Sequence, residues 1–281
     1  MYEDKKLGFL FVLPFVLGVL LFKLFPFVTS FALSFTQYDI IDPPQWTGLD
    51  NYRELFGDDP LFRKSLGVTL WFAVLAVPLR VGFALFVAHV LNYKLRGINF
   101  FRSAFYLPSI LGGSIAVAVL WRFIFSKYGL VNLVLVKLGL EPVAWLADEH
   151  YSMWTIVLLF TWQFGSAMVI FLAALQNVPA SLYEAAECDG ASRWQQFWRI
   201  TVPLITPVIF FNLIMQMVHA FQEFNAPYLI TEGGPLNSTY VLALYIYEQS
   251  FRFFNLGYGA ALSWVLLALV AALSGISFWS S

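Results

Sequence analysis

Apolar residues run through this chain in long unbroken blocks, neither alternating nor spaced as heptads. Six blocks reach the ~20 residues a helix needs to cross a bilayer core: 7–35, 67–91, 103–125, 151–175, 204–222 and 258–279. Lipid offers no partner to a bare backbone amide or carbonyl, so spanning segments are helices or closed barrels. A barrel would show alternating segments of ~10 residues. The continuity of these blocks predicts an all-α membrane protein with six transmembrane helices. The first block follows Lys5 and Lys6 as a signal peptide would, yet it continues past Lys23 and Pro26 to Phe35. That exceeds the apolar core of a signal peptide, so it reads as a retained helix.

Between the blocks, Thr36–Leu66 carries turn signals (Asp42-Pro43-Pro44 and Gly57-Asp58-Asp59-Pro60) around a short helical piece, Asn51–Phe56. Glu223–Gly257 contains Thr231-Glu232-Gly233-Gly234-Pro235, a tight turn by composition. With the N-terminus inside, Lys5, Lys6, Lys94, Arg96, Arg102, Arg193 and Arg199 fall on cytoplasmic segments. Arg53, Arg63, Lys64, Lys127, Lys137 and Arg252 fall outside, in about twice the loop length. Both termini are therefore expected in the cytoplasm, with the chain in the cytoplasmic membrane. No repeat or linker divides it, and 1–281 reads as one domain.

Composition narrows the class. The 281 residues are 60% hydrophobic and 12% charged, with formal net charge −1 and mean hydropathy +0.73. Soluble domains run about 45–50% apolar and about 25% charged. A cytosolic enzyme is excluded, and so is a nucleic-acid partner, because no cationic excess neutralises phosphates. A single cysteine, Cys188, rules out a disulfide scaffold or a Cys-rich metal centre. His89, His150 and His219 form no His-Glu-x-x-His pattern, so no metal site is expected. No Gly-x-x-x-x-Gly-Lys-Ser/Thr occurs either. The chain should bind no ATP itself, hold no cofactor and not be an enzyme alone.

The polar segment 178–203 is too patterned for a simple connector. Ser181-Leu182-Tyr183-Glu184 has the form of a capping box, predicting a helix from Leu182 to about Cys188 that Asp189-Gly190 ends. Ser192-Arg193-Trp194-Gln195 repeats the box and opens a second short helix. Trp194, Phe197, Trp198 and Thr201 fall on one face of it, and Pro203 and Pro207 mark the start of the fifth span. The expectation is a small helix–turn–helix on the cytoplasmic surface.

These residues carry a family resemblance. Glu184-Ala185-Ala186, Asp189-Gly190-Ala191, Phe197, Ile200, Pro203 and Pro207 resemble the EAA loop of binding-protein-dependent ABC importer permeases, with Val202 where Leu is usual. Gly48-Leu49-Asp50-Asn51-Tyr52 and Glu232-Gly233-Gly234-Pro235 with Ser238-Thr239 resemble the carbohydrate branch, the first permease of maltose- and glycerol-3-phosphate-type pairs. The family usually continues into a short cytoplasmic tail, whereas this sequence ends at Ser281, which suggests truncation or disorder there. The resemblance implies a type I ABC importer permease fold whose EAA loop is a coupling helix seated in a cytoplasmic ATPase subunit. Small Ala185 and Ala186 would allow close approach, Glu184 would meet a cation on the ATPase, and Gly190 would set the bend beside Asp189 and Ala191. Implied partners are a second permease, two ATPase subunits holding ATP and Mg, and an extracytoplasmic solute-binding protein.

Polar groups inside spans are expensive and mark function by default. Asn212, Gln216, His219 and Glu223 share one face of the fifth span, with Gln222 and Asn225 nearby. Amides and a carboxylate suit sugar hydroxyls, and Phe221, Phe224 and Tyr228 offer stacking faces. The competing assignment is bonding between helices. Trp162, Gln163 and Ser166 are further candidates. Arg80, beside Pro78, would cost about 3 kcal/mol unpaired on insertion scales. It is read first as half of a buried pair, with Glu223 the obvious partner, and second as an anion site. The function expected is carbohydrate import, of an oligosaccharide. Alternatives are an anionic cargo (glycerol-3-phosphate or a uronate) and an ion-coupled secondary transporter, which would show internal repeats and no ATPase-docking loop. A membrane-embedded enzyme comes last, for lack of a catalytic set.

Overall fold

The computed structural model describes residues 5–93 and 97–279; Lys94 and Arg96, expected in the cytoplasm, and the end at Ser281 lie outside the described residues. Fourteen α-helices, four π turns and one two-residue ladder are present among the described residues. Four helical stretches are long and apolar enough to span a membrane: Leu10–Leu33, Pro60–Leu91, Arg193–Phe221 and Leu256–Ser277. Two bent pairs complete six spans. The chain divides into two compact units. One holds the described residues up to Arg63 with Tyr245–Ala271; the other holds Lys64–Leu244 and the residues from Ala272 on.

In the first unit, α1 (Lys5–Val19) runs through a π turn, Leu20–Leu24, into α2 (Phe25–Leu33). Lys23 sits in that turn and is exposed. A short antiparallel ladder pairs Thr36 with Trp46 and Gln37 with Gln45, followed by α3 (Asp50–Gly57), the short helix expected between the turn signals. Trp264 packs its ring 4.6 Å from both Phe27 and Phe31. The amides of Leu256 and Gly257 bond the Tyr38 carbonyl, and Gly257 lies so close to the Thr36 carbonyl that no side chain would fit.

The span α4 (Pro60–Leu91) starts well before residue 67 because Asp59 caps it. The Asp59 Oδ1 accepts from the amides of Leu61 and Phe62 at 2.8 and 2.9 Å, and Pro60, which has no amide to satisfy, occupies the first turn. In the second unit, Phe72, Ile156, Leu159, Met168, Phe171 and Phe221 are fully buried and form much of the core.

The third span is not the continuous helix expected over 103–125. It is α5 (Ile98–Leu111) and α6 (Ile115–Ile124), bent by 98°. Gly112-Gly113 supplies two poor helix formers, and Ser114 caps the new helix by accepting from Val117 N. The fourth span bends by 45° between α8 (Glu149–Trp162) and α9 (Gly165–Gln176), so 151–175 is likewise two helices. A Cβ on Gly165 would lie 2.7 Å from the Phe105 carbonyl oxygen; glycine there lets α9 approach α5. The short helix α7 (Leu130–Lys137) and α10 (Ala180–Cys188) precede α11 (Arg193–Gln196), the π turn Phe197–Thr201 and α12 (Val202–Phe221). Further on lie α13 (Leu242–Tyr247) and the last span, α14 (Leu256–Trp279).

Two expectations for 178–203 are corrected. The Ser181 capping box is absent: α10 begins at Ala180, with Pro179 extended at its N-cap, so Ser181 falls inside the first turn. Proline's fixed φ and missing amide start the helix before the serine can. The second helix is not short either. Arg193–Phe221 is continuous, because the π turn bonds Val202 N to the Phe197 carbonyl and lets Pro203 follow without a broken ladder.

Candidate functional site

The 178–203 segment presents a compact helical corner. α10 ends in a Schellman motif: Gly190 is left-handed at φ +77, its amide bonds the Glu187 carbonyl at 3.1 Å, and Ala191 N bonds the Ala186 carbonyl at 2.9 Å. Nothing lies within 4 Å of a Cβ built on Gly190, so its role is conformational. Ser192 and Gln195 form the second capping box as expected. Glu184, Ala185 and Asp189 are exposed, and Ala186 and Ala191 are partly so. With no box at Ser181, Glu184 has no capping duty. The Tyr183 phenol bonds the Thr201 hydroxyl at 2.8 Å, fixing α10 to the base of the fifth span. The apolar face expected beyond Ser192 forms, with the Trp194, Phe197 and Trp198 ring centroids 5.3–6.4 Å apart. Gln196 and Thr201 are buried, whereas Trp194 is 70% and Trp198 51% exposed.

The polar stripe on α12 splits in two. Asn212 and Gln216 are buried; Asn212 Nδ2 donates to the Val208 carbonyl at 3.2 Å, while Asn212 Oδ1 and Gln216 Oε1 have no hydrogen-bond partner among the described residues. His219, Gln222 and Asn225 are exposed and Glu223 is half-buried. Glu223 Oε1 accepts from Ala226 N at 3.1 Å, and the Phe224 and Tyr228 rings stack 5.1 Å apart just beyond.

Arg80 does not pair with Glu223: no ion pair joins them among the described residues. Its Nη2 donates to the main-chain carbonyl of Gln163 at 2.5 Å, and its guanidinium lies 4.4 Å over the Phe160 ring. That carbonyl is free because the fourth span breaks there. Ser109 Oγ donates to it as well, at 2.8 Å, and accepts from Ser166 N. The Gln163 side chain donates to the Gly112 carbonyl at 3.1 Å, where the third span breaks. Arg80, Gln163 and Ser166 thus join in one node that re-satisfies two broken helices. Trp162 stands beside it, its ring 5.9 Å from Trp121.

Residues 80–280 match the family described as binding-protein-dependent transport system inner membrane component. The chain belongs to this family. It is 45% identical over 282 residues, 99% of this chain and 91% of the relative, to the probable ABC transporter permease protein YesP of Bacillus subtilis. It is 37% identical to the lactose transport system permease protein LacF of Rhizobium radiobacter, over all of this chain and 95% of the relative. A chain in the crystal structure of a bacterial alginate ABC transporter in complex with alginate pentasaccharide-bound periplasmic protein has the same fold. Its TM-score is 0.83 at 23% identity, over 98% of this chain and 93% of that one. The type I importer permease fold with six spans follows.

Several organising residues of this permease looked like ordinary loop positions in sequence. Asn132 is buried and fully used: its Nδ2 donates to the Ser126, Lys127 and Val143 carbonyls, and its Oδ1 accepts from Val143 N and Trp145 Nε1. Asp59 accepts from the Tyr245 and Tyr258 phenols at 2.6 and 2.5 Å besides its two amides. Burial alone would raise its pKa, but the two phenols and the Phe62 and Leu61 amides outweigh it and hold the carboxyl below its ordinary value. Burial, then the bond to Asp59 and its charge, push the Tyr245 phenol up. An Asp before Pro at a span's start was the available signal; the tyrosines, far away in sequence, gave none.

Proposed function

We propose that this permease is the transmembrane subunit of an ATP-driven importer that carries a carbohydrate, an oligosaccharide, across the cytoplasmic membrane. The observation that carries this is the outer part of the α12 stripe. There exposed His219, Gln222 and Asn225, with Glu223, adjoin the Phe224–Tyr228 stack. Amides and a carboxylate beside flat aromatic faces suit sugar hydroxyls and ring faces. Near full-length similarity to a lactose permease supports the same cargo class. Asn212 and Gln216, whose acceptor oxygens are unused, would meet the cargo once the bundle opens.

A second permease completes the path, and a solute-binding protein delivers the sugar from outside. Two ATPase subunits, which hold the ATP and Mg, dock on the 178–203 loops. Exposed Glu184 meets a cation there, Ala185 and Ala186 allow close approach, and Asp189-Gly190-Ala191 set the corner. Closure of the ATPases on ATP moves these loops and turns the cavity from inward- to outward-facing. Both termini lie in the cytoplasm, and the two units serve one permease domain. An anionic cargo would need a cation facing the path, and Arg80 is committed to Gln163 and Phe160. The test is ATPase activity of the co-purified complex with its binding protein across neutral and uronate oligosaccharides. Stimulation by a neutral sugar is expected; stimulation by none of the sugars would overturn the proposal.

A further inference from the structure

A cavity of about 260 Å³ lies between the end of α4 and the 178–203 corner. Its floor is buried Leu175, Gln196 and Thr201. Gln196 uses its Nε2 on the Ala191 carbonyl at 3.2 Å, and its Oε1 makes no hydrogen bond among the described residues. Aromatic rings form the walls: His89 meets Phe197 with centroids 4.7 Å apart, and Tyr93 adjoins His89. At the mouth stand Asn92, Glu187 and Arg193, whose side chains make no hydrogen bond or ion pair among the described residues. Among the described lining residues the one acid, Glu187, is balanced by the one base, Arg193.

We infer that this recess is a second binding site, facing the cytoplasm, for a neutral monosaccharide-sized sugar. Three features select that class. Aromatic rings line the space, amide and carboxylate groups with spare bonding capacity line it too, and its volume falls below the 300–1,000 Å³ of common ligand sites, too small for an oligosaccharide. The sugar hydroxyls accept from Arg193, donate to Glu187 and Gln196 Oε1, and engage the Asn92 amide.

The consequence is regulatory, and it rests on the coupling role proposed above for 178–203. The cavity's lining comes from α4, α10 and the α11–π-turn segment at once. A bound sugar ties the coupling corner to the end of the second span and resists the movement that ATPase closure drives. Accumulated monosaccharide would slow further import without competing for the external cargo.

The test uses the transporter assembled with its partner permease and ATPase subunits in nanodiscs. D-Glucose, D-galactose and L-arabinose are the probes, with glycine betaine as a zwitterionic control. Amide exchange over 183–201 should slow about threefold for at least one sugar at about twice its Kd. Asn92→Leu, which fills the mouth and removes a free amide, should abolish that slowing and leave sugar-free ATPase activity unchanged. Asn92→Ala, which removes the amide without adding bulk, serves the same purpose if Asn92→Leu does not assemble. No slowing with any sugar, equal slowing in the variant, or slowing by glycine betaine alone would overturn the inference. Oligosaccharide uptake by the same complex in sealed proteoliposomes separates the two claims: monosaccharide protection without carbohydrate uptake would defeat the import proposal and leave this site standing.

Discussion

Arg80 in the second span donates to the main-chain carbonyl of Gln163 at 2.5 Å, and that carbonyl is free because the fourth span breaks at Gln163. A buried charge is thereby matched to a backbone group that lipid could not satisfy. With Ser109 on the same oxygen and the Gln163 amide on Gly112, Arg80 holds the bends of two spans.

Arg80→Met should therefore act on stability before selectivity. A hydrogen bond from a charged donor contributes about 1.5–3 kcal/mol. The purified complex should unfold at lower temperature, and the preference among neutral and acidic sugars should not change. A variant that keeps its thermal stability but gains or loses acidic sugars would place Arg80 in the transport path instead.

Asp59 should set an acid limit. Its carboxyl is held below its ordinary value, so its contribution is fully present above the unfolded pKa of about 3.9. It is lost as pH falls through the lower folded value. Asp59→Asn keeps a cap for α4 but removes the charge on which both phenols converge. Thermal unfolding against pH should show lower stability at neutrality and a flatter fall in acid. An unchanged acid limb would assign that fall to other carboxylates.

Gly190→Val should disturb the corner through its backbone alone, since space is open around the position. A left-handed residue with a Cβ costs about 1–2 kcal/mol. Transport should fall sharply while the protein still inserts. Glu184→Lys should also stop transport, by setting like charges together at the docking cleft. Normal transport by either variant in an assembled complex would remove that residue from the coupling role.

The import reading predicts that a solute-binding protein docks on the hairpin tip between the first two spans. Ile41 is 89% exposed, and its neighbour Ile40 is held at φ +74, an uncommon conformation for a β-branched residue. Burying an isoleucine contributes about 1.5–3 kcal/mol. Ile41→Asp should raise the apparent Kd for the binding protein by about tenfold or more, with basal ATPase activity unchanged. Unaltered affinity would mean that the tip is free.

The six spans were legible because an apolar run of ~20 residues has few soluble explanations. The Gly190 stop and the Ser192 box were legible because both are local. The bends were not: Gly112-Gly113 marks weakness, but the Gln163 side chain that makes the break tolerable comes from another span. Ser181 and Glu184 matched a capping pattern that Pro179 overrides. Helical periodicity placed Trp194 and Trp198 on one face without saying whether that face turns inward or toward a partner. Asn212 and Gln216 shared a stripe with Glu223, yet only the packed structure separates the buried half from the exposed half.

Uptake of labelled sugar by proteoliposomes tests the central claim most directly. The permease would be reconstituted with its partner permease and both ATPase subunits, ATP sealed inside and the solute-binding protein added outside. A neutral oligosaccharide should accumulate only when ATP and the binding protein are both present, and Gln222→Ala or Asn225→Ala should raise its half-saturation concentration about 2–13-fold, the loss of one hydrogen bond of 0.5–1.5 kcal/mol. Uptake that persists without ATP, or a fully assembled complex that accumulates no carbohydrate, would contradict the account.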